Sequence, residues 1–138
     1  MTSSKRNVPQ ISDAEWSVMR VFWEGGNCST GDVISVLEKS TNWSSKTIQT
    51  LIRRLHKKGA IDVVSKNGRE FVYGSTVAER ECEHAATSNF LGRVFDGQLA
   101  PFLASFVENE NLSADQIAEL RKILDENETK PETQNPKP

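Results

Sequence analysis

Residues 43–59 read WSSKTIQTLIRRLHKKG. Ile48, Leu51, Ile52 and Leu55 recur at i, i+3, i+4 and i+7, the spacing of a helix with one buried stripe. At 100° per residue, Lys46, Thr50, Arg53 and Lys57 fall on the opposite side, with Gln49 and Arg54 beside them. Ser44 or Ser45 can cap the start through its hydroxyl, and Gly59 is suited to the stop. The stretch carries Lys46, Arg53, Arg54, Lys57 and Lys58 and no acid. Its exposed face is therefore cationic at both ends, with Thr47, Gln49 and Thr50 between. Cations suit phosphates and short polar groups suit base edges, so the face has the chemistry of a duplex reader. The plainer alternative is the solvated basic side of an ordinary amphipathic helix.

The flanking segments favour the duplex reader. Upstream, Ser29 opens a helix over about 30–39, with Asp32 at the capping-box position and Val33, Ile34, Val36 and Leu37 making it amphipathic. Ser40-Thr41-Asn42 is a short polar connection. Two helices joined by a few residues form a helix-turn-helix, in which the first braces and the second enters the major groove. Further upstream, Ser12 and Glu15 fit the capping box S-x-x-E. They open a helix over about 13–24 carrying Trp16, Val18, Met19, Phe22 and Trp23, which Gly25-Gly26 ends. Asn27-Cys28 reads as a short strand or a turn. Free N–H groups at the start of the second or third helix could hold a phosphate.

Downstream, residues 61–65 and 70–74 read as two strands around Lys66-Asn67-Gly68-Arg69. Asn-Gly predicts a type I′ hairpin turn, because both residues accept positive φ. Lys66 and Arg69 would put two cations at its tip. Three helices and a basic-tipped hairpin make a winged helix-turn-helix over residues 1–75.

From Val77 the character changes. A long helix is expected over about 77–95, acidic at its start through Glu79, Glu81 and Glu83. A second covers 99–108, and Ser113 with Gln116 caps a third. Leu91, Phe95, Leu99, Phe102, Leu103, Phe106, Val107, Ile117, Leu120 and Leu124 supply many large apolar groups in under fifty residues. That is too little chain for a good private core. The helices over residues 76–126 are therefore expected to pack on the same elements of a second copy in a two-fold dimer. Folding back onto the first domain is the alternative. Residues 127–138 read as a disordered tail.

The 138 residues carry a net charge of −2 that conceals an asymmetry. Residues 1–75 hold 11 Lys+Arg and 7 Asp+Glu, a balance of +4, whereas residues 76–138 hold 6 and 12, a balance of −6. The basic half can approach a polyanion, and the acidic half should face away from it. No apolar run approaches the roughly 20 residues that span a bilayer. The first ten residues lack the apolar core of a signal peptide. A soluble cytoplasmic protein without membrane contact is expected. Cys28 and Cys82 form no metal-type pair and no disulfide framework. Cys82 and His84 sit two apart and cannot share a helix face. His56 reads as a partly buried residue or a phosphate contact. Trp16, Trp23 and Trp43 read as core or interdomain packing. No nucleophile, phosphate-cradle or zinc-protease motif is present, so neither an enzyme nor a cofactor is expected.

Ile11-Ser12-Asp13-Ala14-Glu15-Trp16 with Val18-Met19, then Trp23, then Trp43-Ser44-Ser45-Lys46-Thr47-Ile48 with Thr50-Leu51 and Arg54-Leu55, resembles the BlaI/MecI/CopY family of bacterial repressors. The run Phe90-Leu91, Val94-Phe95-Asp96-Gly97, Phe106-Val107-Glu108, Leu112-Ser113, Ile117-Ala118-Glu119-Leu120 and Leu124 continues the match, which spans about residues 9–126 in unbroken order. The resemblance implies a homodimeric transcriptional repressor on an inverted-repeat operator with half-sites like TACA/TGTA. On the matching positions it places Lys46, Thr47, Gln49, Thr50 and Arg53 toward the major groove. It places Thr30 on the DNA backbone and Lys66 and Arg69 as wing contacts. Ser45, Arg54 and Lys57 complete the candidate DNA-binding set.

Copper-responsive members of that family carry paired C-x-C motifs near the C-terminus. No cysteine follows Leu112 here, so copper sensing by that route is not expected. β-Lactam-responsive members are cut by a regulatory protease at an Asn-Phe bond. The matching bond here is Ser105-Phe106, with the Phe kept and the Asn replaced. A winged-helix module used for protein contact, without a specific operator, is the alternative from a different class.

Overall fold

The computed structural model describes residues 8–128. It divides into two compact units, with the division between Phe90 and Leu91.

The first unit is built from three helices and a small sheet. Helix α1 (Asp13–Gly25) starts at a complete capping box. The Glu15 N–H donates to Ser12 Oγ at 3.1 Å, and the Ser12 N–H donates to Glu15 Oε1 at 2.9 Å. Strand β1 (Cys28–Ser29) leads into α2 (Thr30–Ser40), which opens on a second capping box, between Ser29 and Asp32. Helix α3 (Ser45–Lys58) follows. Strands β2 (Ile61–Asn67) and β3 (Glu70–Ser75) form the wing, and the sheet order is β1-β3-β2, antiparallel throughout. Asn27-Cys28, open between strand and turn, thus contributes Cys28 to a strand opposite Tyr73.

The core lies where the three helices meet the base of the wing. Val18, Met19 and Phe22 of α1, Val33 and Leu37 of α2, Ile48, Leu51, Ile52 and Leu55 of α3, and Ile61 of β2 are all buried. Trp16 and Trp23 flank it in an edge-to-face pair with centroids 5.5 Å apart. The Trp23 indole N–H donates to Val77 O at 3.1 Å and Ser75 Oγ at 3.2 Å, which ties the end of the wing to α1. A buried indole needs such a partner for its donor.

The hairpin turn departs from the expected one. Asn67 pairs with Glu70, so the two central residues are Gly68 and Arg69 rather than Asn67 and Gly68. Only Gly68 of these has positive φ, 67°, the pattern of a type II′ turn. A register shift between Val63 and Ser65 accommodates the change. Side-chain pairing explains it. A turn centred on Asn67-Gly68 would set Lys66 opposite Arg69, and like charges facing across a ladder are destabilising. The observed register sets Lys66 opposite Phe71, with Nζ 5.4 Å from the ring centroid.

Helix α4 (Glu79–Val94) crosses the division between the units, and its first part belongs to the winged unit. Val77 and Cys82 are members of that unit's core. The first core thus holds two apolar side chains from the stretch that the sequence reading gave to the helical domain over residues 76–126.

The second unit holds the end of α4, α5 (Leu99–Asn109) and α6 (Ala114–Glu128). Asp96 and Gly97 take positive φ, 56° and 80°, and make the tight turn between α4 and α5. Ser113 and Gln116 cap α6 reciprocally. Neither α5 nor α6 buries a residue fully. Residues 127 and 128, expected in a tail, belong to α6, and the rest of that stretch lies outside the described residues. No described helix is long and apolar enough to cross a membrane.

Candidate nucleic-acid interface

Helix α3 is anchored at both ends before any ligand is considered. Ser44 is the N-cap, its hydroxyl accepting from the Thr47 N–H at 3.1 Å. Gly59 closes the C-terminus in the left-handed region, φ 87°, with its N–H on His56 O and the Ala60 N–H on Leu55 O. The buried stripe fixes which side faces out. Ser45, Lys46, Thr47, Gln49, Arg53, Arg54 and Lys57 are exposed, and Thr50 is half-buried.

Part of this face is pre-arranged. Thr50 Oγ1 donates to Lys46 O at 3.1 Å, and Arg53 Nη2 donates to Thr50 Oγ1 at 3.3 Å. The guanidinium is thus held along the helix by a neighbour rather than left to sample its rotamers, which lowers the entropy lost on binding. His56, read from the sequence as partly buried or a phosphate contact, is exposed and faces the wing. Its Nε2 lies 3.5 Å from Asp62 Oδ1 and its ring sits edge-on to Tyr73, so it joins α3 to the base of the wing.

Thr30 lies half-buried in the first turn of α2. The donors near it are committed inside the protein. The Asp32 N–H goes to Ser29 Oγ at 3.1 Å, and the Gly31 N–H goes to Glu70 Oε2 at 3.2 Å. A wing carboxylate therefore occupies the helix N-terminus that sequence reasoning offered to a phosphate, as anions do at such ends. At the wing tip Lys66 and Arg69 are exposed, with Arg69 in the turn itself.

The model of the penicillinase repressor family matches residues 11–126, which takes in both units. The chain belongs to the penicillinase repressor family. It is 42% identical over 125 residues to the penicillinase repressor of Bacillus licheniformis, covering 91% of this chain and 97% of that protein. It is 42% identical over 115 residues to the methicillin resistance regulatory protein MecI of Staphylococcus aureus strain N315, covering 83% of this chain and 93% of that one. Among solved structures, that of the DNA-binding domain of the repressor BlaI is 49% identical. It covers 54% of this chain and 89% of that chain, at a TM-score of 0.49.

In this member of the penicillinase repressor family none of the side chains expected at a dimer interface is fully buried. Leu99, Phe106, Val107 and Leu124 are exposed, and Leu91, Phe95, Phe102, Leu103, Ile117 and Leu120 are half-buried. Phe102, Leu103, Phe106, Val107, Leu112 and Ile123 line an open apolar groove of about 330 Å³. The Ser105-Phe106 bond lies inside α5, and Ser105 O accepts from Asn109 Nδ2 at 2.7 Å. A protease acting there would first have to open that helix. Cys28 and Cys82 are both buried, and burial first, then nearby carboxylates, pushes each thiol up from its ordinary value. Such thiols are poor nucleophiles and poor metal ligands at neutral pH.

Sequence reasoning missed Glu15 as more than a cap. It is 2% exposed and accepts from Lys58 Nζ as well as from the Ser12 N–H. Burial alone would raise its pKa. The hydrogen bonds from Lys58 and Ser12, with the charge of Lys58, outweigh that and hold it below its ordinary value of 4.5. A lowered carboxylate pKa stabilises the fold above the unfolded value, and the gain is lost as pH falls through the folded value. Glu15→Gln should therefore cost about 1–3 kcal/mol at neutral pH. It should also flatten the acid side of the stability profile below 4.5. Urea unfolding across that range checks both, and parallel profiles for variant and wild type would refute the assignment.

Proposed function

We propose that this DNA-binding repressor works as a homodimer on an inverted repeat with half-sites like TACA/TGTA, each protomer laying α3 in a major groove. The acid-free outer face of α3, held opposite a fully buried stripe, carries the reading. Lys46 and Arg53 suit guanine edges or phosphates, and Gln49 suits an adenine edge. Thr47 and Thr50 lie between them, Arg54 and Lys57 serve phosphates, and Ser45 with Thr30 sits toward the backbone. Lys66 and Arg69 at the wing tip add contacts that position rather than specify. The second unit supplies the dimer, supported by the apolar side chains that α5 and α6 leave uncovered.

The test is to mix the purified full chain with fragmented DNA of its source organism at moderate salt and sequence what is retained. A dyad with TACA/TGTA-like arms about one helical turn or a multiple of it apart is expected. Recovery of DNA without a common sequence, bound only at low salt, would overturn the operator.

A further inference from the structure

Lys58 is the last residue of α3, and it points away from the work of the other cations. Its Nζ donates to Gln10 O at 2.7 Å and to Glu15 Oε1. Glu15 Oε1 also accepts from the Ser12 N–H at 2.9 Å. The segment before α1, the first turn of α1 and the last turn of α3 thus converge on one carboxylate oxygen. Glu15 is 2% exposed and the Lys58 side chain 35% exposed, so the pair is shielded on the protein side and reaches solvent only through the lysine.

We infer that Lys58 is a positioning residue for operator reading, setting the roll of α3 against α1, and not a phosphate contact. The inference rests on the operator-binding reading above. Three physical points carry it. An ammonium has three donors, and two here are engaged by protein acceptors. Its charge is matched by a carboxylate at contact distance, so the pair adds little net attraction for a polyanion. The buried stripe of α3 holds the helix by apolar contact, which is non-directional and tolerates a small roll. A charge-assisted hydrogen bond is directional and does not. The outward side chains of α3 swing with any roll of the helix, so a modest roll displaces Gln49 from the adenine edge proposed for it.

The experiment measures full-length wild type, Lys58→Met, Lys58→Arg and Lys57→Ala on the selected operator and on an unrelated duplex, across a range of salt. Circular dichroism at the assay temperature confirms that each is folded. Lys58→Met should lose about tenfold in operator affinity, the scale of one misread base pair. It should keep its affinity for the unrelated duplex and keep the wild-type salt slope. Lys58→Arg, which can still donate to both Gln10 and Glu15, should recover most of the loss. Lys57→Ala, at a position proposed to serve phosphates, is the internal standard and should lower the slope by about 0.9. A matching slope loss in Lys58→Met, with both duplexes weakened equally, would make Lys58 a phosphate contact and overturn the inference. So would an unchanged operator preference. If Lys58→Met does not fold, Glu15→Gln decides. A reduced operator preference at unchanged slope supports positioning, and an unchanged preference overturns it. If wild type itself shows no operator preference, the operator reading has failed and this inference falls with it.

Discussion

Phe106→Glu should turn the proposed dimer into monomers and lower operator affinity by about 10²–10⁴-fold, the gain normally supplied by linking two half-site readers. Phe106 is 47% exposed and leans on Phe102, ring centroids 6.0 Å apart, at the edge of the groove in the second unit. A carboxylate there can stay in water in a single chain, so the helices of the unit should survive. Facing a second copy, the same carboxylate would lose its water against apolar side chains, which is prohibitively costly without a partner. The size of the effect follows from linkage. With both winged units joined, the second half-site is met at high effective concentration. With the link gone, each α3 binds alone. Sedimentation at micromolar concentration should give a dimer for wild type and a monomer for the variant, and operator titration should give the affinity loss. A variant that sediments as a dimer and binds as wild type does would place the interface elsewhere.

Arg53→Ala should reduce operator affinity by about 1–3 kcal/mol and the salt slope by about one phosphate contact. Arg53 is exposed, lies opposite the buried stripe of α3, and is braced by Thr50 Oγ1 at 3.3 Å. Its loss removes five donors and a charge without touching the core, so thermal stability should stay near that of wild type. Titrations at several salt concentrations separate its two possible roles. A fall in slope with equal loss on all duplexes marks a phosphate contact. A loss confined to the operator marks a base contact. Unchanged operator binding would remove Arg53 from the interface.

The two variants also separate the jobs proposed for the two units. One changes assembly while leaving the reading face whole, and the other changes the face while leaving assembly whole. Sedimentation of Arg53→Ala as a dimer is the expected control.

The sequence by itself determined the elements whose cause is local. The bounds of α3, Ser45–Lys58, follow from a serine cap, a glycine stop and a 3.6-residue apolar period, all within the stretch itself. The capping boxes of α1 and α2 follow in the same way from residues three apart. The outward face of α3, and with it most of the candidate DNA-binding set, is a consequence of that periodicity. The match of both units to one family was legible for a related reason, because the motif residues stand in unbroken order along the chain.

Tertiary structure decided everything whose partner is distant. Lys58 looked like one more cation on a basic helix until the fold brought Glu15 to it from 43 residues away. Glu70 looked like an ordinary wing residue until β3 laid it against the Gly31 N–H, 39 residues away. The hairpin register was set by which side chains face each other across the ladder, and this overrode the local preference of Asn-Gly for the centre of the turn. Val77 and Cys82, which the sequence reading gave to the second domain, found room in the first core. Local propensity specifies where a helix begins and ends. Which of its charges remain available to a ligand depends on long-range packing, because a charged side chain is committed by whatever opposite charge the fold places beside it.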